Sequence, residues 1–169
     1  MQSTRHNFSL VNLLALVLAF VATTARCELK VGDALPDLTT FNLEGNLPDT
    51  LKGKVVLLDF WASWCLPCAA SFPVMDGLLE KYGERGLVII AVSMDEKTKD
   101  MEKFLKKHPV SFVVVRDAEH KLAEAVNPET MPTSFLVDTD GKVRFLHNGF
   151  HQKETPREYQ TEIESLLKE

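Results

Sequence analysis

The sequence predicts a three-layer α/β domain built around a mixed β-sheet. Three observations lead there. Continuous apolar runs of strand length, Val55–Phe60 and Leu87–Ser93 among them, alternate with segments of helical periodicity. Two late strand-like runs are joined across Asp138–Gly141, where Asp140–Gly141 is a hairpin turn signal. The chain has 169 residues, the length of one domain.

The elements follow in order. Residues 28–54 carry Gly32, Pro36, Gly45, Pro48 and Gly53 around short apolar pieces such as Leu38–Leu43, and are read as a short hairpin leading into the core. Val55–Phe60 is apolar except for Asp59, the pattern of a buried strand. A helix runs from the Cys65–Cys68 segment to about Tyr82, with Phe72, Met75, Leu79 and Tyr82 at helical spacing. Pro73 should kink this helix, and Gly83 and Gly86 end it. Leu87–Ser93 is the second strand. Lys97–Lys107 is an amphipathic helix with Met101, Phe104 and Leu105 inward, and Val110–Val115 is the third strand. A short helix spans Glu119–Val126. Strands Thr133–Val137 and Lys142–His147 follow, and a helix over Thr155–Lys168 closes the chain with Tyr159, Ile163, Leu166 and Leu167 on one side.

Composition limits the function. Hydrophobic residues make up 45% and charged residues 25%, which is ordinary globular usage. The net charge of −5 offers no basic field for phosphates, so a nucleic-acid partner is not expected. At the N-terminus, Arg5 precedes an apolar run, Phe8–Ala22, shorter than the ~20 residues a membrane span needs. Small residues Ala22 to Ala25 follow. This is the grammar of a secretory signal peptide over residues 1–25, with cleavage expected after Ala25 and a domain over 26–169. An uncleaved anchor is the alternative. Arg26 before Cys27 departs from a lipoprotein signal, so Cys27 is read as a stray thiol.

Three cysteines are too few to staple a fold of this size. Two of them, Cys65 and Cys68, stand three apart in Trp61-Ala62-Ser63-Trp64-Cys65-Leu66-Pro67-Cys68, at a helix start. Such a pair can open and close a small disulfide ring. The unpaired N–H groups of a helix N-terminus favour a thiolate at Cys65, and thiolate is the attacking species in exchange. Cys65 is expected to be the exposed nucleophile, and Cys68, one turn inside, the resolving thiol. Half of a zinc site and a static disulfide are the competing readings; His147 and His151 are the only well-spaced further ligands, and no metal site is expected.

Leu58-Asp59-Phe60-Trp61-Ala62-x-Trp64-Cys65-x-Pro67-Cys68 resembles the active-site strand and loop of the thioredoxin family. Pro73 matches the family's helix proline, and Met131-Pro132-Thr133 falls where the family has its cis-proline loop. The leader, Leu51-Lys52-Gly53-Lys54 and the extra helix and strand at about 97–115 are similar to the TlpA-like branch of exported thiol–disulfide oxidoreductases. The resemblance covers about residues 30–168. It implies a thioredoxin-like α/β/α sandwich with an N-terminal hairpin extension and a central helix–strand insertion.

The resemblance also implies roles. Asp59 matches the family's buried acid beneath the cysteines; desolvation should raise its pKa, and it could then accept the Cys68 proton. An ion pair with Lys54 is the other environment open to it. Trp64, Leu66, Pro67, Met131 and Pro132 should form the substrate face, with the Met131 backbone pairing to a bound strand; Trp61 and Trp64 could equally be core residues. Cytochrome-maturation members often have Glu three residues after the second cysteine, where this chain has Ser71. The implied partners are protein disulfides and a membrane reductant of the DsbD type, in the periplasm. Membrane contact would come only through the leader or that reductant, and no cofactor is needed beyond the cysteine pair. With no charge at Leu66 or Pro67 and Asp59 beneath, the reducing direction is expected. An oxidase or isomerase on the same fold and a copper-delivery module remain alternatives. A peroxidase would need Thr and Pro where Trp61–Trp64 stand.

Overall fold

The computed structural model describes residues 28–168. The expected leader, its cleavage point and Cys27 lie outside the described residues.

Strand β1 (Val55–Trp61) is buried along its whole length, as its unbroken apolar run requires. It pairs in parallel with β2 (Leu87–Ser93) and antiparallel with β4 (Thr133–Val137). β3 (Val113–Arg116) and β5 (Val143–Asn148) form the edges, giving the order β3-β2-β1-β4-β5. The sheet is therefore mixed. Asp138 makes the β4–β5 turn: its Oδ1 accepts from the N–H groups of Asp140 and Lys142 at 3.0 and 2.9 Å. Gly141, at φ 80°, supplies the left-handed residue that this turn needs.

Strand alternation divides the core in two. Odd positions of β1, with Ile89 and Ala91 of β2, pack against α1 (Leu66–Tyr82), α2 (Thr98–Lys107) and α4 (Thr155–Leu166) through Phe72, Met75, Phe104, Tyr159 and Ile163. Even positions, Val56, Leu58 and Phe60, pack with Leu122 and Val126 of α3 (Lys121–Val126). The three layers follow. Pro73 lies inside α1, which continues through it to Tyr82. The inserted unit, α2 and β3, closes one sheet edge. β3 begins later than its apolar run predicts, because the Ser111 N–H is taken by the Asp76 carboxylate at 2.7 Å before strand pairing starts.

The N-terminal segment departs from the expected hairpin. Residues 28–54 contain no paired strand; Leu38–Phe41 is a 3-10 turn instead. Asp37 caps it by accepting from the Thr39 N–H at 3.0 Å, and Asn42 ends it in the left-handed region at φ 51°. The apolar run thus delivers Leu38 to the core from a turn rather than a strand. The segment then covers both sheet edges, through isolated bridges of Ala34 with Lys142 and Glu44 with Arg116. Edge strands expose unpaired backbone groups, and these bridges satisfy some of them.

Arg116 secures the second bridge. Its guanidinium donates to both carboxylate oxygens of Glu44 at 2.8 Å and to the carbonyls of Asp95 and Glu96 at 3.2 and 3.0 Å. Arg116→Ala is expected to cost about 2 kcal/mol. It should also accelerate amide exchange in residues 28–54 while sparing β1, as hydrogen-exchange mass spectrometry would read.

Candidate active site

The site forms where β1 ends. Trp61 is the last strand residue, and Cys65 is already the N-cap of α1, with extended backbone at φ −86°, ψ 106°. Three residues, Ala62 to Trp64, join the two. Their course is held by Asp95, a buried carboxylate beyond β2. Asp95 accepts from the Ser63 N–H at 3.0 Å, the Ser63 hydroxyl at 2.6 Å and the Ser93 hydroxyl at 2.9 Å. The Asp95 carbonyl is in turn held by Arg116. Sequence reading missed this support, since nothing local marks Asp95 as more than a strand-end acid.

Cys65 and Cys68 form a disulfide with Cα atoms 5.3 Å apart. The Cys68 N–H donates to Cys65 Sγ at 3.2 Å. This is the helix N-terminal donor expected to favour a thiolate at Cys65. Cys65 is less open than the sequence suggests. It is 4% exposed, against 0% for Cys68, because its sulfur turns back over the first helical turn to reach its partner. The order of access is still Cys65 before Cys68. Ser71, at the position where some relatives of the motif have Glu, is buried and donates its hydroxyl to the Cys68 carbonyl at 2.9 Å.

The two tryptophans part company. Trp61 is fully buried, with Phe72 and Phe104 ring centroids at 4.8 and 4.9 Å. Trp64 is 71% exposed and Leu66 84%, with Pro67 exposed beside them. The alternation of β1 sends Trp61 inward, while the loop turns Trp64 outward. A groove of about 380 Å³ runs past Cys65, lined by Trp64, Leu66 and Ala69 and by Lys103, Phe104 and His108 of the α2 region. Across the site, the Met131–Pro132 bond is cis and Pro132 is buried. Met131 packs against the apolar cluster that holds both cysteines.

Asp59 is fully buried on the face of β1 that carries Leu57 and Trp61, the α1 side. Lys54 is not its partner. Its cross-strand neighbours are Ala91 and Ser134, and the Ser134 hydroxyl donates to Asp59 Oδ1 at 2.5 Å. Among the described residues Oδ2 has no hydrogen-bond partner. Burial pushes the carboxyl up to about 7, only partly opposed by the Ser134 bond. The Ser134 oxygen also meets the Tyr159 hydroxyl at 2.6 Å. Neither Ser134 nor Tyr159 stood out in the sequence as more than core. The signal available was Ser134 beside Thr133 at the start of a strand that is otherwise apolar. His147 faces carboxylates, with Nε2 2.7 Å from Glu162 and Nδ1 3.6 Å from Glu158.

A disulfide-bonded cysteine pair at a helix start, a buried acid on the adjoining sheet face and a cis-proline loop packed against the same cluster define a thioredoxin-like thiol–disulfide oxidoreductase. The profile of the family described as Redoxin matches residues 30–163, and the chain belongs to that family. It is 37% identical over 139 residues to the thiol–disulfide oxidoreductase ResA of Bacillus thuringiensis subsp. konkukian, covering 80% of each chain. The ResA of Geobacillus thermodenitrificans is 34% identical over 139 residues, covering 80% of this chain and 79% of its own. Among solved structures, a Chlorobium tepidum protein assigned as thiol:disulfide interchange protein DsbE is 39% identical, with a TM-score of 0.76 over 83% of this chain and 99% of that one.

The raised Asp59 pKa has a consequence for stability, with a definite sign. Below about pH 4 the carboxyl is protonated in both folded and unfolded chains. Between there and about 7 only the unfolded chain ionises, so stability falls as pH rises. Asp59→Asn is therefore expected to stabilise the oxidised protein by a few kcal/mol at pH 8 and by little at pH 4. Urea denaturation at the two pH values measures the difference; equal effects at both would contradict the raised pKa.

Proposed function

We propose that this protein reduces disulfides of exported proteins, with Cys65 attacking and Cys68 resolving. The observation that carries this reading is a buried, partly unpaired carboxyl, Asp59, on the sheet face that α1 and Cys68 cover. The Cys65 thiolate, favoured by the Cys68 N–H, attacks one sulfur of the substrate disulfide. The substrate S–S bond breaks, a mixed disulfide with Cys65 forms, and one substrate sulfur leaves as a thiolate that takes from solvent the proton Cys65 gave up on ionising. Cys68 gives its proton to ionised Asp59 and attacks Cys65 Sγ. The mixed disulfide breaks, the second substrate sulfur leaves as a thiolate that takes up the proton held by Asp59, and the Cys65–Cys68 bond closes. The substrate gains two electrons and two protons, and the pair is left in its oxidised form. A carboxyl titrating near 7 can take and return that proton at neutral pH.

Substrate docks on the exposed face formed by Trp64, Leu66 and Pro67, with Met131 and Pro132 opposite. The groove beside Cys65 accepts the flanking chain. A membrane dithiol carrier of the DsbD type re-reduces the pair, attacking at Cys65, the more accessible sulfur. The leader-like N-terminus supports action in the periplasm. Among the described residues no helix is long and apolar enough to cross a membrane.

Two measurements test this. Cys65→Ser is expected to abolish disulfide reduction, while Cys68→Ser should accumulate mixed disulfides visible on non-reducing gels; full activity in both variants would overturn the assignment. The potential of the pair, titrated against dithiothreitol and glutathione buffers, is expected at about −250 mV or below. A value near about −120 mV, on the scale of strong oxidants, would reverse the direction.

A further inference from the structure

The mechanism uses Asp59 but not the two hydroxyls stacked behind it. We propose that Ser134 and Tyr159 are positioning residues for the Cys68 step: they form a one-way donor chain that occupies Oδ1 of Asp59 and reserves Oδ2 for the proton. The proposal rests on the reading of Asp59 as the acceptor for Cys68.

The direction of the chain follows from counting hydrogens. An ionised carboxylate can only accept, so Ser134 must donate to Asp59 Oδ1. That uses its only hydrogen. The 2.6 Å contact with Tyr159 must then run from the phenol to the Ser134 oxygen. Tyr159 can fill this role because it keeps its proton: burial first, and then the charge of Asp59, hold its pKa above the ordinary phenol value. When Asp59 is protonated, the opposite direction would need Oδ1–H to donate to Ser134 and Ser134 to Tyr159. The Tyr159 hydrogen would then have no acceptor among the described residues, in a site closed to water. Either direction leaves one buried hydrogen without an acceptor, but keeping the existing direction needs no reorientation of Ser134 or Tyr159 and leaves the transferred proton as the free one, so the proton goes to the open Oδ2.

The surroundings leave few competing groups. α1 contributes Cys68, and β2 contributes only Ala91 opposite Asp59. β4 contributes Ser134, and α4 contributes Tyr159, with Glu158 and Glu162 further out. β5 contributes His147, the cross-strand partner of Ser134, whose ring meets Tyr159 edge-on at 4.9 Å. Of these, only Ser134 is hydrogen-bonded to the Asp59 carboxylate.

The test follows the Asp59 carboxyl by infrared difference or carbon-13 NMR titration, alongside the pH profile of Cys68 resolution in single-turnover mixing. Losing the bond that favours the charged form should move the Ser134→Ala titration to higher pH by about half a unit or more. It should also slow resolution at pH 7 about tenfold, part of the contribution of a placed acid–base group. Ser134→Thr keeps the hydroxyl and should restore both. Tyr159→Phe, which preserves the ring, should shift the titration the same way by less. His147→Gln separates that imidazole's own titration from the carboxyl's. In an Asp59→Asn background, Ser134→Ala should have no further effect on the resolution profile. A Ser134→Ala or Tyr159→Phe protein that loses thermal stability but keeps the wild-type Asp59 midpoint and resolution profile would reduce both hydroxyls to packing and sink the proposal. If Asp59→Asn alone leaves resolution unchanged, the proton-acceptor reading fails. The carboxyl titration of Ser134→Ala still reports separately on the donor chain.

Discussion

The site depends on one junction, where a wholly buried strand passes within three residues into a helix N-terminus. β1 is the central strand, with parallel and antiparallel neighbours and both faces covered, so its end is fixed by the whole core. Because the strand stops at Trp61 and the helix is capped by Cys65, the cysteine pair inherits that rigidity. The intervening loop has few bonds of its own and borrows them from Asp95 and, at one remove or more, from Ser93, Arg116 and Glu44. A reactive disulfide thus sits on a short loop whose geometry is determined by the sheet, which is the arrangement a preorganised site requires.

The same strand supplies the acid. Alternation along β1 makes Trp61 and Asp59 share a face, so an aromatic anchor for the loop and a buried carboxyl occur two residues apart. The low-dielectric setting that locks Trp61 between Phe72 and Phe104 is the setting that raises Asp59. With Asp59 as the proposed proton acceptor, stability and chemistry pull in opposite directions here. The ionised carboxylate costs folding free energy at neutral pH, and the fold tolerates it because the surrounding apolar cluster is large. Functional sites commonly keep such locally unfavourable groups.

Much of the fold was legible in the sequence because long, strongly periodic segments announce themselves. The five strands and four helices stand close to where apolar runs and helical spacing put them, with shifts of a few residues at β3 and at the start of α3, where His120 takes a left-handed conformation at φ 55°. The hairpin expected over residues 28–54 was misread for a definite reason. Short apolar pieces between glycines and prolines look alike whether they pair with each other or with distant edges, and here Ala34 and Glu44 pair with Lys142 and Arg116. The exposure of Cys65 was overestimated because position at a helix start says nothing about which way a bonded sulfur turns.

By itself the sequence determined the element types, the cysteine pair at a helix start and an acid inside an apolar strand, because these depend on local spacing and composition. Only the tertiary structure decided which tryptophan is buried, that Asp95 holds the active-site loop, and that Ser134 and Tyr159 stand behind Asp59. Asp59 and Ser134 are 75 positions apart, and Ser134 and Tyr159 are 25 apart. They meet because β1 and β4 pair antiparallel in one particular register and α4 lies across that face. Register and helix docking are set by the sum of many weak apolar contacts over the whole core, and no local pattern of residues encodes that sum.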